Sequence, residues 1–246
     1  MMISLKRVVV VVCVTLVMMV LYSCSESASA KDQMEQVDEE QSDKKEEEVD
    51  ENEDDGQEES VSEKVDPIII EAETVTPSDD RWKLKTELLG FSGSGYLVWE
   101  GPELFWKGTD NIGKIGAVTY DVAVKKEGTY KVILRTYIAK ENPEKPNTEH
   151  NDTWLKVVAD DFYAIRDASK IYPKGTGKQP NPKGENGNGF FKAYMNHNGA
   201  WTEVIGTSDH EFHTIYASFD TPGVYKVTIA PRSNYHALDY IKFVYQ

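Results

Sequence analysis

Three carboxylates sit in apolar, strand-forming sequence. Glu71 and Glu73 belong to Ile68-Ile69-Ile70-Glu71-Ala72-Glu73, and Asp239 to Ala237-Leu238-Asp239-Tyr240-Ile241-Lys242-Phe243. Residues two apart in a strand share a face, so Glu71 and Glu73 are expected to point the same way. Two like charges set side by side in such a face are costly unless a cation or a basic partner offsets them. If the first and last strands pair, Asp239 adds a third oxygen donor, and a cluster of hard oxygens suits Ca2+. On spacing alone, the alternative is a solvated strand face that carries both glutamates.

A second group of residues suits sugar recognition. Trp99, Trp154 and Trp201 lie near polar, turn-rich sequence, the second directly after His150-Asn151-Asp152. Arg232-Ser233-Asn234-Tyr235-His236 is a polar loop just before the Asp239 segment. An aromatic face stacks on the apolar side of a sugar ring, while Asn, Asp, Arg and His bond its hydroxyls. The candidate binding set is therefore Trp99, Asn151, Asp152, Trp154, Trp201, Arg232, Asn234 and His236. The competing reading makes each Trp a core residue and the Arg232–His236 loop a self-satisfied turn.

Catalytic signals are weak by comparison. His210 and His213 are three apart, which places them on opposite faces of a strand and argues against a zinc pair. No G-x-S-x-G elbow occurs, and Gly175-Thr176-Gly177-Lys178 is followed by Gln179, where a phosphate loop needs Ser or Thr. Carboxylates are plentiful, but nothing selects a glycosidase pair. A non-catalytic protein is expected. The alternatives are a small jelly-roll polysaccharide lyase or hydrolase, and a structural or adhesive protein.

The remaining sequence sets out how such a domain is held. Lys6 and Arg7 precede an apolar run over Val8–Tyr22, too short for a comfortable span, which ends at Leu21-Tyr22-Ser23-Cys24. This resembles a bacterial lipoprotein signal, implying export, lipidation of Cys24, and a place on the outer membrane at the cell surface. Residues 25–66 hold nineteen acidic and four basic side chains and no aromatic ring, so they are expected to form a disordered acidic tether. That stretch alone accounts for a net −15, equal to the formal charge of the whole chain, and residues 67–246 are almost neutral. Nucleic-acid binding, which needs a basic surface, is excluded as an expectation. Both cysteines, Cys13 and Cys24, precede residue 67, so the domain has no disulfide framework.

All the Trp and Phe residues fall in 67–246, enough chain for one core. Val118, Tyr120, Val122 and Val124 alternate, as do His213, Ile215, Ala217 and Phe219, with turn signals at Glu127-Gly128 and Thr221-Pro222-Gly223. Short strands between Gly, Pro and Asn turns predict an all-β sandwich. Pro173–Gly189, rich in Gly, Pro and Asn, reads as a long irregular loop.

In this order, several of these segments resemble carbohydrate-binding modules of families 6 and 35, in the galactose-binding-like jelly-roll group. The segments are Ile70–Glu73, Gly90-Phe91-Ser92-Gly93-Ser94-Gly95-Tyr96, Glu127-Gly128-Thr129-Tyr130-Lys131-Val132, Pro222-Gly223-Val224-Tyr225-Lys226-Val227 and Leu238-Asp239-Tyr240-Ile241. His150–Trp154 and Arg232–Asp239 further resemble modules attached to agar- and porphyran-degrading enzymes of marine bacteria. The resemblance implies a structural Ca2+ on Glu71, Glu73 and Asp239, a polysaccharide partner such as a red-algal galactan, and a sugar site in loops at one end of the sandwich. The chain departs from the family at Ala237, where an Asn that contacts ligand is usual, and at Glu203-Val204, where a second Trp is usual. Asn234 or His236 is then expected to fill that role.

Overall fold

A computed structural model describes residues 64–105, 111–140, 144–183, 187–195, 197–203, 206–207 and 212–246. The signal segment, Cys24 and nearly all of the acidic stretch lie outside these residues, as does His210. In chain order the strands are β1 (Ile68–Glu71), β2 (Trp82–Lys85), β3 (Tyr96–Trp99), β4 (Val118–Val124), β5 (Gly128–Ile138), β6 (Asp152–Val158) and β7 (Asp161–Arg166). They continue as β8 (Ser169–Ile171), β9 (Phe191–Tyr194), β10 (Thr202–Glu203), β11 (Gly206–Thr207), β12 (Thr214–Phe219), β13 (Gly223–Pro231) and β14 (His236–Tyr245).

Among the described residues these strands form two antiparallel sheets, the all-β sandwich that the alternation predicts. The larger runs β2-β3-β14-β5-β12-β7-β8, with β1 added to β14 and β10 to β5, and the smaller runs β11-β9-β6-β13-β4. The period-2 pattern decides which side chains meet between the sheets. Val118, Tyr120, Val122 and Val124 of β4 face Val132, Leu134, Ile215, Ala217, Phe219, Ile241 and Phe243 across one core. Thr119 and Asp121, at the opposite parity, are exposed.

Two local departures from regular pairing matter for the site. In β14 the register shifts between Leu238 and Tyr240, so Asp239 occupies a β-bulge. On one side of it β14 pairs with β3, and on the other with β1, through Ile68↔Phe243 to Glu71↔Tyr240. The second departure corrects a detail of the expectation. The chain leaves strand geometry after Glu71, and Ala72–Thr74 form a 3-10 turn. Glu73 therefore joins Glu71 by that turn and not by strand alternation, with the Ala72 carbonyl accepting a bond from buried Tyr120 Oη at 3.0 Å.

Backbone bonds hold the described residues of the Pro173–Gly189 loop. Tyr172 N donates to Pro180 O at 2.8 Å, and Gly189 N to Lys174 O at 2.9 Å. Asn188 Nδ2 reaches Ile112 O at 3.0 Å.

Candidate functional site

Glu71, Glu73 and Asp239 converge on the turn that carries Ser92 and Ser94. The Ser92 N–H donates to both Asp239 oxygens, at 2.9 and 3.1 Å, and Ser92 Oγ donates to Glu71 Oε1 at 2.7 Å. The Ser94 N–H donates to Glu73 Oε1 at 2.6 Å. Gly93 lets them close: it has φ +63°, and a Cβ there would lie 2.1 Å from Glu73 Oε1. Asp239 is 0 % exposed and ion-paired with Arg135, whose second nitrogen donates to Gly90 O at 2.8 Å. Burial pushes the Glu71 and Asp239 carboxyls above their ordinary values, partly offset by their hydrogen bonds, and the Glu73 charge pushes both further.

These three carboxylates and one guanidinium leave a formal −2. Glu71 Oε2 and Glu73 Oε2 are buried with no hydrogen-bond partner. Two open, buried anionic oxygens beside an under-neutralised cluster fit a divalent cation with hard oxygen ligands. Asp239 already spends both oxygens on Arg135 and Ser92, and among the described residues no group of three acidic, imidazole or thiol side chains forms a ready metal cage. A cation at this place would rest first on the two glutamates and share Asp239 with Arg135.

Arg135 links this cluster to an aromatic face. Its guanidinium lies 5.4 Å from the Trp201 ring centroid and 5.6 Å from that of Tyr240. Trp201 Nε1 donates to Leu89 O at 3.2 Å, on the same turn. The Trp201 ring meets Tyr96 at 5.1 Å and Tyr137 at 5.4 Å. Tyr96, Val98 and Ala237 form the floor, and Tyr137, Trp201 and Tyr235 pack on it partly exposed. All of them lie on the outer side of the large sheet, opposite the core.

An open cleft of about 530 Å³ runs over this face between Tyr96, Tyr137 and Tyr235, edged by Lys85, Glu87, Lys140 and Asn198. A second hollow, about 480 Å³, adjoins it across Tyr137 and is walled by Trp201 and Arg135. Leu89 stands 88 % exposed on its rim. Within the cleft, Tyr96 Oη accepts from Leu88 N at 3.0 Å and donates to Glu87 at 3.4 Å. Burial raises the Tyr96 hydroxyl pKa, and the Glu87 and Thr86 N–H groups hold the Glu87 carboxyl below its ordinary value.

No family model matches the chain, and no curated protein does. Solved structures with a partial likeness include a Podospora anserina GH26-CBM35 β-(1,4)-mannanase, at 13% identity over 73% of this chain and 28% of that one, TM-score 0.41. Another is a Paenibacillus sp. cycloisomaltooligosaccharide glucanotransferase complexed with cycloisomaltoheptaose, at 16% identity over 70% of this chain and 17% of that one, TM-score 0.37. A third is a ruminal GH26 endo-β-1,4-mannanase, at 16% identity over 73% of this chain and 26% of that one, TM-score 0.36. The chain thus spans under a third of the length of each.

Of the residues expected to meet sugar, Trp201 alone presents a partly exposed ring. Trp99 belongs to the inter-sheet core: a Cβ on Gly101 or Gly116 would come within 2.3 or 2.6 Å of its ring, and its Nε1 is spent on Pro102 O. Trp154 is 2 % exposed, packed with Ile112, Phe190 and Ala230. Neither can offer a stacking face. Asn151 and Asp152 are buried, and Asp152 accepts from Arg232 and from Ser233 Oγ while its carbonyl accepts from Ser233 N at 3.2 Å. Arg232, half-buried, and buried Asp152 therefore form an ion pair that holds a turn, and His236 is buried as well. Asn234 is half-buried.

The cleft is lined instead by Tyr96, Tyr137 and Tyr235. The signal for Tyr137 was present in β5, where Lys131, Arg135 and Tyr137 fall at the parity opposite to Val132, Leu134 and Ile138. An aromatic and a cation at outward parity mark a decorated sheet face. Ala237, at the family's Asn position, sits between Val98 and Tyr137 in the sheet and contributes only floor.

Proposed function

We propose that residues 67–246 form a non-catalytic polysaccharide-binding domain whose site is the cleft of Tyr137, Tyr235 and Trp201 over Tyr96. The observation that carries this reading is the grouping of four aromatic rings on the outer face of one sheet, rimmed by an amide and charged side chains. Rings of this kind stack on the apolar faces of sugars, and the rim supplies hydroxyl partners. The polymer class favoured by the sequence resemblance is a red-algal galactan.

The make-up of the cleft supports binding in preference to turnover. Glu87 is the single carboxylate among its described lining residues, whereas a glycosidase uses two. The Tyr96 hydroxyl is already engaged by Leu88 N and Glu87 and the residue is buried, which leaves it poorly placed to act as a base on a polymer. A reducing-end assay on mixed polysaccharides should stay at background.

The domain is expected to be retarded in gels containing agarose or porphyran, with Kd of about 10–1000 μM, or roughly −4 to −7 kcal/mol. Trp201→Ala and Tyr137→Ala should each abolish the retardation while the protein stays folded. Wild-type mobility unchanged by every galactan, with calcium present, would remove the binding reading.

A Ca2+ ion held by Glu71 and Glu73, with Asp239 shared, is part of the same proposal. Such an ion would fix the Ser92–Ser94 turn and, through Leu89 O and Arg135, the Trp201 ring. An ion that binds only the folded state stabilises it by about 2.7 kcal/mol at a hundredfold excess over Kd. Melting in calcium and in chelator should differ by several degrees, and coincident curves would remove the ion. Attachment to the outer membrane through Cys24 completes the proposal, on the strength of the Leu21–Cys24 signal. Cys24→Ala should release the protein from the membrane fraction, and continued membrane association would exclude the lipid.

A further inference from the structure

Asn-Gly pairs occur at 186–187, 188–189 and 198–199. Such a pair can react with itself, because the backbone nitrogen of the glycine lies within reach of the asparagine's side-chain amide carbon. Glycine leaves that nitrogen unscreened, having no Cβ to obstruct the approach. The reaction needs an N–H that is not bonded and a side chain free to turn. Asn186 lies outside the described residues. Asn188 is exposed, yet it is held: its Nδ2 donates to Ile112 O at 3.0 Å, and Gly189 N, which would attack, donates to Lys174 O at 2.9 Å. Lys156 Nζ also donates to Asn188 O, at 3.2 Å.

Asn198 and Gly199 have none of these restraints. Both are exposed, and among the described residues neither the Asn198 amide nor the Gly199 N–H makes a hydrogen bond. Gly199 has φ +79°, and a Cβ built on it would meet nothing within 4 Å, so the flank of the attacking nitrogen is open. The pair also stands where a change would be felt. Asn198 edges the cleft of Tyr137 and Tyr235, and Gly199 walls the adjoining hollow with Trp201 and Arg135.

We propose that Asn198 is a site of spontaneous deamidation that ages the cleft. The deprotonated Gly199 nitrogen forms a bond to Asn198 Cγ, and the C–N bond of the side-chain amide breaks. The amide nitrogen leaves as ammonia and carries off the proton that Gly199 lost. The cyclic imide left behind adds one water, which opens it at either carbonyl. One opening gives aspartate, and the other gives isoaspartate, whose main chain runs through the former side chain. Both products exchange an amide that donates and accepts for a carboxylate that only accepts from a sugar hydroxyl. Isoaspartate also lengthens the main chain just before Trp201, the ring that walls the hollow. The effect on binding rests on the glycan reading above, and the modification itself does not.

The test is to age the full chain in mildly alkaline buffer, where hydroxide speeds the first step, and to read each site by peptide mass spectrometry. The mass gain of deamidation should accumulate at Asn198 roughly tenfold or more faster than at Asn188, where two hydrogen bonds must open first. Enzymatic methyl transfer specific for isoaspartate should label the Asn198 peptide. Retardation in porphyran gels should fall in step with the modified fraction. Asn198→Gln, whatever its own mobility, should show no drift with age, because the longer side chain cannot close the same five-membered ring. An Asn198 that stays intact, or that reacts no faster than Asn188, overturns the proposal. Fully modified protein that is retarded like fresh protein overturns the claim that the cleft ages. A chain that no galactan retards, fresh or aged, removes the binding reading and that claim with it, while the mass spectra still decide the modification.

Discussion

Arg135→Leu should lower the stability of the domain by about 3 kcal/mol, the lower end of what breaking a buried ion pair costs, since the guanidinium keeps some solvent contact. The partner left behind is Asp239, which is 0 % exposed and cannot turn to water. For a domain of this size the melting temperature should fall by roughly 6–12 °C. Arg135→Leu combined with Asp239→Asn removes the stranded charge and should recover much of the loss. The single variant should suffer more in chelator than in calcium, because the guanidinium and the divalent ion neutralise the same carboxylates. Thermal melts of the four combinations of variant and metal decide it. An Arg135→Leu protein as stable as wild type would mean that the pair contributes nothing. The change should also weaken galactan binding, since Arg135 packs against Trp201 and bonds Gly90 O on the turn beside it.

Trp154→Ala separates core from binding surface. Emptying its place among Ile112, Phe190 and Ala230 should cost about 3–5 kcal/mol, the usual range for deleting a buried large aromatic. The Arg232 guanidinium, 5.4 Å from the Trp154 ring, loses part of its packing as well. Urea denaturation measures the loss, and a cost under about 1 kcal/mol would show that the site is not core. Molecules that remain folded should bind galactan with wild-type affinity. Trp201→Ala should show the converse, with binding lost and a much smaller change in stability.

That contrast marks where the sequence was informative. Strand alternation in β4 and β12 determined the sandwich, because burial of one face leaves a period of two in the residue types. The pairing of β1 with β14 was only the condition under which Asp239 would join the two glutamates, and the sheet meets it. The carboxylate cluster was legible in its members but not in its counter-charge. Arg135 lies in the middle of β5 and reads as one more outward residue until the bulge at Asp239 brings them together. The aromatic cleft was harder. Polar neighbours in sequence made Trp99 and Trp154 look like loop residues, yet Trp99 lies in the inter-sheet core and the polar residues before Trp154 are buried with it. Tyr137 and Tyr235 come from β5 and from the connection before β14, and they meet only because those strands are neighbours in the sheet. Sequence distance hides that contact.

The antiparallel pairing of β1 with β14 has a mechanical consequence. The chain enters the sheet at Ile68 beside Phe243, while His236, at the opposite end of β14, lies next to the cleft. The separation is about 23 Å of strand at roughly 3.3 Å per residue. Under the proposed function, tension between a polymer in the cleft and the chain preceding Ile68 would run along the strand axis. It tries to slide β1 past β14, loading the whole ladder from Ile68 to Glu71 at once instead of peeling its bonds one after another. Ladders loaded in shear resist far more force than ladders that unzip. The carboxylate cluster stands at the far end of β1, where its bonds to Ser92 and Ser94 would oppose that sliding.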